Sequence, residues 1–123
     1  MIKILYVDDE PDIREIAVFA LKRDATFEVR PCASGEEALA ALAEWQPNLI
    51  LLDVVMPHMD GPATLARLRD VPNGRGVPVI FITARTHRQE IDRLVALGAI
   101  AVIPKPFNPM TLASVVKSHL QTA

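Results

Sequence analysis

The 123-residue sequence has a single cysteine, no long apolar run and no cluster of basic residues. With Cys32 alone, no disulfide can form within the chain, which fits a reducing compartment and predicts a cytoplasmic protein. No apolar stretch approaches the ~20 residues of a membrane span. The net charge of −2 and the scattered lysines and arginines give no basis for direct nucleic-acid binding. Because His58, His87 and His119 lie far apart, no zinc-type ligand set exists.

What the sequence does contain suits one folded domain over residues 1–123. Half of the residues are hydrophobic and 23% are charged, as expected of a globular chain with a core of its own. We see no internal repeat, no low-complexity segment and no linker. The chain length therefore predicts a single domain.

Short apolar runs alternate with segments of helical periodicity along the whole chain. The runs predict five strands, at Ile2–Val7, Phe27–Pro31, Leu49–Asp53, Val77–Ile82 and Ala99–Ile103. Between and after them, apolar residues recur about every 3.6 positions, as in amphipathic helices. This alternation predicts an α/β fold of the (βα)5 type, a doubly wound parallel sheet with helices on both faces. A flavodoxin-like strand order of 2-1-3-4-5 would make strands one and three neighbours.

Local signals mark the ends of several predicted helices. Ser34 and Glu37 match a capping box at the start of the second helix. Gly98 suits the C-terminal cap of the fourth helix, and Asn108 suits the N-cap of the fifth. These signals support the same five-helix pattern.

Polar side chains follow four of the five predicted strands. Asp8 and Asp9 follow strand one, Asp53 ends strand three, Thr83 follows strand four, and Lys105 comes just after strand five. Because parallel strands share their direction, these side chains lie at one edge of the sheet. Open α/β sheets bind their ligands at this edge.

The combination of side chains at this edge predicts a particular chemistry. Three neighbouring carboxylates repel one another unless a cation lies among them, and oxygen-only ligands favour Mg²⁺ or a similar hard cation. A lysine and a hydroxyl beside that cation suit a phosphoryl group, and an aspartate can act as its nucleophile. Read singly, Asp8 and Asp9 could start a helix, Thr83 could cap a strand end and Lys105 could lie on the surface. Their joint occurrence favours a site.

Four motifs, in order and with matching spacing, resemble those of a response-regulator receiver domain of the CheY-like type. They are Val7-Asp8-Asp9-Glu10, Asp53-Val54-Val55-Met56-Pro57-His58-Met59-Asp60-Gly61, Ile82-Thr83-Ala84 and Lys105-Pro106-Phe107. The resemblance covers essentially the whole chain. It implies a phosphorylation-dependent switch of a two-component system.

The resemblance also implies roles for the acidic residues. Asp53 would accept a phosphoryl group from a phosphohistidine on a histidine kinase or a histidine phosphotransfer protein. Asp9 and Asp53 would bind Mg²⁺, or Mn²⁺, together with the backbone carbonyl of Val55, while Asp8 would orient the metal's waters. No enzymatic activity is expected beyond self-catalysed phosphotransfer and dephosphorylation.

The resemblance further implies that Thr83 and Lys105 contact the phosphoryl group and that the Lys105–Pro106 bond is cis. An output partner would bind the face formed by helix four, strand five and helix five. One residue departs from the family, because Val102 stands where a rotating Tyr or Phe is frequent. Since a short, stiff valine cannot sweep that volume, we expect Thr83, Ala84 and Arg85 to relay the signal instead.

Three alternatives remain open at this stage. A phosphohydrolase of the haloacid dehalogenase type would need a second aspartate where Val55 stands. A flavodoxin-like flavin carrier would need a phosphate-binding loop where Asp8-Asp9-Glu10 stands, and these carboxylates would repel a phosphate. A receiver-like adaptor that is never phosphorylated would not need the full acidic set. No output domain follows the fifth helix, so the sequence leaves open whether this chain works alone or belongs to a longer one.

Overall fold

The computed structural model describes residues 1–122 and contains a five-stranded parallel sheet in the order β2-β1-β3-β4-β5. The strands are β1 (Ile2–Val7), β2 (Phe27–Cys32), β3 (Leu49–Asp53), β4 (Val79–Thr83) and β5 (Ala101–Pro104). The helices are α1 (Pro11–Leu21), α2 (Gly35–Leu42), α3 (Gly61–Leu68), α4 (Arg88–Ala96) and α5 (Leu112–Thr122). The predicted fold class and strand order are confirmed.

The sheet is covered on both faces, which explains why its central strands are apolar at every position but their ends. All residues of β3 and β4 are buried. Alternate residues of the strands enter two separate cores. One core packs against α2, α3 and α4, and includes Leu5, Leu52, Leu65 and Leu94. The other packs against α1 and α5, and includes Tyr6, Leu51, Leu21 and Val116.

The starts of two strands differ from the prediction by two residues, and the ends of β2, β4 and β5 each lie one residue later than predicted. β4 begins at Val79 rather than Val77, because Pro78 has no N–H to give to a neighbouring strand. β5 begins at Ala101 rather than Ala99, because the N–H of Ala99 bonds to the carbonyl of Leu94 at the end of α4. Local hydrogen bonding therefore overrides the apolar pattern at both strand starts.

The predicted caps are present in the structure. Ser34 Oγ accepts the N–H of Glu37 at 3.0 Å, and Glu37 returns a bond to the N–H of Ala33. Gly98 has a φ of 110° just after α4. Asn108 Oδ1 accepts the N–H of Met110 at 2.9 Å and the Asn108 carbonyl accepts the N–H of Leu112, so Asn108 caps the turn that leads into α5.

No helix among residues 1–122 is long and apolar enough to cross a membrane.

Candidate functional site

Two buried carboxylates lie side by side at the carboxyl edge of the sheet. Asp53 is the last residue of β3, and Asp8 follows the last residue of the adjacent strand β1. The pairing of Val7 with Leu52 brings the two ends level. Asp8 is fully buried and Asp53 is 4% exposed. Two carboxylates at this depth need a compensating cation.

Lys105 supplies that cation. Its Nζ lies 3.0 Å from Asp8 Oδ2 and 3.1 Å from Asp53 Oδ2, and 3.5 Å from Glu10 Oε1. The lysine follows β5, and its N–H bonds to the Thr83 carbonyl at 2.8 Å. The Lys105–Pro106 bond is cis, as expected from the sequence. Lys105 thus follows the end of β5, and its side chain extends over the ends of β1 and β3.

Three carboxylates converge around this ammonium group. Oxygen atoms of Asp8, Glu10 and Asp53 all lie within 4.8 Å of one another. This donor set is made of oxygens alone, and it fits a hard divalent cation such as Mg²⁺ or Mn²⁺. The resemblance to receiver domains implies Asp9 as a ligand, but Asp9 is half-buried and lies outside this group. Its role as a metal ligand therefore stays a prediction.

The carboxylate of Asp8 is held by more donors than the sequence indicated. Tyr6 donates its hydroxyl to Asp8 Oδ2 at 3.1 Å, and the N–H of Glu10 donates to Asp8 Oδ1 at 3.0 Å. Arg14 donates to the backbone carbonyl of Asp8 at 2.7 Å. Sequence reasoning missed Tyr6 and Glu10 as members of the site. The spacing could have found Tyr6, since residues two apart on a strand share a face.

Burial and charge shape the protonation of these groups. Burial first, and then the charge of Asp8, raises the pKa of Asp53 to about 6, although Lys105 opposes the shift. Burial would lower the pKa of Lys105, but its contacts with Asp8 and Asp53 outweigh burial and raise it. Burial also raises the pKa of Tyr6 far above its usual range. At neutral pH, Asp53 is therefore mostly ionised beside an ammonium group and a phenol that keeps its proton.

The remaining predicted residues lie in β5 or at and just after the ends of β3 and β4. Thr83 is buried, and its Oγ1 accepts the N–H of Arg85 at 3.0 Å. Val55 is 64% exposed in the loop that follows β3. Ala84 and Arg85 are exposed, whereas Val102 is half-buried against the core on the α2, α3 and α4 side. The structure thus places Thr83 at the strand end where the sequence predicted it, next to an exposed segment.

An ionised carboxylate, a fixed cation and an oxygen-lined metal position together suit transfer of a phosphoryl group. Such a site at the carboxyl edge of a (βα)5 sheet is characteristic of signalling domains that accept phosphoryl groups on aspartate.

Comparison with known proteins agrees with this class. The family model of the response regulator receiver domain matches residues 4–117, and the chain belongs to this family. The chain is similar to the chemotaxis response regulator CheY4 of Vibrio cholerae, with 34% identity and a TM-score of 0.87, over 97% of this chain and 98% of that one. The predicted family membership and function as a response-regulator receiver domain are confirmed.

Curated relatives differ in how much of their length this chain covers. It is 36% identical to an uncharacterized 14.6 kDa protein of Leptolyngbya boryana, over 94% of this chain and 88% of that protein. It is 40% identical to the transcriptional regulatory protein CpxR homolog of Haemophilus influenzae, but spans 51% of it. It spans 26% of a probable cyclic di-GMP phosphodiesterase of Vibrio cholerae at 35% identity. What these longer proteins do beyond the shared domain does not carry over to this chain.

Proposed function

We propose that Asp53 takes a phosphoryl group from a phosphohistidine and that this modification changes which partner the protein binds. An Asp53 carboxylate oxygen attacks phosphorus, the P–N bond to the histidine breaks, and an aspartyl phosphate forms. The observation that carries the proposal is the contact of Lys105 Nζ with the buried Asp53 Oδ2 at 3.1 Å. The ammonium group stands where the negative charge of an incoming phosphoryl group would develop.

Other residues complete this acceptor site. Lys105 turns from the carboxylates to a phosphoryl oxygen, and the Thr83 hydroxyl donates to another. Asp9, Asp53 and the carbonyl of Val55 would hold a Mg²⁺ or Mn²⁺ ion, and Asp8 would orient the waters of that ion. When bound, the metal neutralises the clustered negative charge and polarises the phosphoryl oxygens.

The partners follow from the same proposal. The donor is a histidine kinase or a histidine phosphotransfer protein in the cytoplasm, and the chain catalyses only its own phosphotransfer and dephosphorylation. The output partner binds the face of α4, β5 and α5. This face is supported by exposed apolar side chains on or just after these helices, at Val95, Leu97, Ile100 and Val115.

Mass spectrometry with a small phosphodonor tests the proposal. Incubation with acetyl phosphate and Mg²⁺ should add one phosphoryl group to the protein, and Asp53→Asn should remove the addition. Asp70→Asn makes the same chemical change at an exposed position after α3 and should leave the addition intact. A wild-type mass that stays unchanged in the presence of Mg²⁺ would refute the proposal.

A further inference from the structure

The hydroxyl of Tyr6 contacts the acidic site although the residue lies inside the core. Tyr6 is the single tyrosine of the sequence and is fully buried in β1. Its ring packs in the core that faces α1 and α5, and its hydroxyl donates to Asp8 Oδ2 at 3.1 Å. An ionised carboxylate only accepts hydrogen bonds, so the phenol is the donor. Tyr6 is thus a core residue whose terminal hydroxyl hydrogen-bonds to Asp8, a residue of the site.

The groups that donate hydrogen bonds to the Asp8 carboxylate differ in their other contacts. Asp8 Oδ1 accepts the N–H of Glu10, and Asp8 Oδ2 accepts Tyr6 and Lys105. The lysine is shared, because it also contacts Glu10 and Asp53. When Lys105 turns to a phosphoryl oxygen, Tyr6 is the side chain still holding Asp8 Oδ2. The phenol stays in place because its ring is buried in the core between the sheet and helices α1 and α5.

We infer that Tyr6 is a positioning residue that fixes the Asp8 carboxylate in the orientation needed for a divalent cation such as Mg²⁺. The inference rests on the proposed function. It adds a residue that does not bind the metal itself but hydrogen-bonds to Asp8, a residue of the metal site. Outer hydrogen bonds of this kind fix the orientation of metal-binding groups and affect metal affinity. With Tyr6 in place, the Asp8 carboxylate would keep its orientation when Lys105 leaves it for a phosphoryl oxygen and when a metal ion binds.

A simpler reading is that Tyr6 is a core residue whose hydroxyl merely finds an acceptor. That reading predicts a loss of stability when the hydroxyl is removed, with no specific effect on metal binding. Thr64 provides a matched control for it. Its buried hydroxyl donates to the Asp60 carbonyl at 2.8 Å, outside the acidic group. Thr64→Val therefore removes a buried hydroxyl without touching Asp8.

Calorimetric titration with Mg²⁺ distinguishes the two readings. Tyr6→Phe should weaken Mg²⁺ binding by about 10-fold, the lower end of the range for such outer contacts, because Glu10 and Lys105 still hold Asp8. The Mg²⁺ concentration for half-maximal phosphorylation by acetyl phosphate should rise by the same factor, and excess Mg²⁺ should restore most of the rate. Thr64→Val should match the wild type. Equal Mg²⁺ affinities for Tyr6→Phe and the wild type would overturn the inference.

A second measurement needs no variant. The ring signals of the single tyrosine in a ¹³C-labelled wild-type sample should shift as Mg²⁺ is added, whereas those of the single tryptophan, Trp45, should not. Tyrosine signals that stay fixed while calorimetry shows Mg²⁺ binding would overturn the role of Tyr6 alone. A wild-type protein that neither binds Mg²⁺ nor accepts a phosphoryl group would overturn the proposed function as well.

Discussion

Lys105 and Asp53 are 52 residues apart in sequence, and the lysine Nζ lies 3.1 Å from Asp53 Oδ2. Both side chains are largely buried, at 13% and 6% exposed. The same ammonium group contacts Asp8, so one lysine compensates two buried carboxylates on neighbouring strands. The site is therefore held together by charge pairing that spans three strand ends.

Removing the lysine charge should destabilise the metal-free protein. Lys105→Met keeps a long unbranched side chain but leaves two buried carboxylates without a neighbouring cation, which costs about 3 kcal/mol of unfolding free energy near neutral pH. Urea unfolding in a chelating buffer measures this loss. Lys117→Met is the control, since it breaks a more exposed pair with Asp24 at 3.1 Å and should cost far less. Similar losses for the two variants would contradict the central role of Lys105.

Replacing the acceptor carboxylate should have the opposite effect on stability. The pKa of Asp53 is raised from 3.8 to about 6, so the folded protein binds more protons than the unfolded chain between these values. The unfolding free energy contributed by Asp53 is therefore greatest below this window and decreases as pH rises through it. Asp53→Asn should be more stable than the wild type near pH 7 by up to about 3 kcal/mol without metal.

The difference between Asp53→Asn and the wild type should shrink toward zero near pH 4, where both side chains are neutral. Urea unfolding across this pH range measures it. Asp70→Asn, at an exposed position, should show no such trend. A stability gain that is independent of pH would mean that repulsion within the site is not its source.

The metal ligands can be assigned by comparing two acidic neighbours. The resemblance to receiver domains implies Asp9, whereas the structure groups Glu10 with Asp8 and Asp53. We expect Asp9→Ala to weaken Mg²⁺ binding measured by calorimetry by at least about 10-fold without unfolding the domain, because the resemblance makes Asp9 a direct ligand and loss of even an outer contact costs about that much. Glu10→Ala should have a smaller effect, because its side chain is 61% exposed and its backbone N–H still holds Asp8. The reverse ranking would assign the metal to Glu10.

The sequence predicted the fold well because its signals are local and agree with one another. Buried strands read as continuous apolar runs, and Ser34 and Glu37 mark a helix start. The polar residues at the predicted strand ends also predicted the sheet edge at which Asp8, Asp53 and Lys105 meet. The spacing puts Tyr6 and Asp8 on one face of the sheet, but the hydroxyl contact itself was missed, because a tyrosine in an apolar strand carries the same pattern as any core residue. Contacts that depend on side-chain direction are set by packing, which a pattern of apolar residues does not encode.

Backbone strain at one loop position was also invisible in the sequence. His58 has a φ of 68°, a left-handed conformation that costs most residues about 1–2 kcal/mol. We expect His58→Gly to increase the free energy of unfolding by about 0.5–1 kcal/mol, since relief of strain exceeds the added chain entropy. Gly98→Ala is the opposite test, because Gly98 has a φ of 110° with nothing within 4 Å of an added Cβ. It should lose about 1 kcal/mol, measured by thermal unfolding.

The last prediction concerns how phosphorylation reaches the output face. Phosphorylation places charge and acceptor oxygens beside Thr83, so the Thr83 hydroxyl should move toward them and release the N–H of Arg85, which it now accepts at 3.0 Å. Residues 84–87 are all exposed, so little packing opposes their displacement. Val102 is half-buried and stiff, and it should keep its rotamer. Arg85 would then carry the signal to a partner.

Structures with and without beryllofluoride, a phosphoryl mimic, check this relay. We expect the backbone of residues 84–87 to shift while Val102 stays fixed. Thr83→Val provides the matched variant, because it keeps the shape of the side chain but cannot donate to the mimic or accept from Arg85. It should bind beryllofluoride without displacing the segment. If the backbone of residues 84–87 remains still in the wild type while the ring of Phe81 or Phe107 rotates, the signal passes through an aromatic side chain and this relay is wrong, even with Asp53 modified.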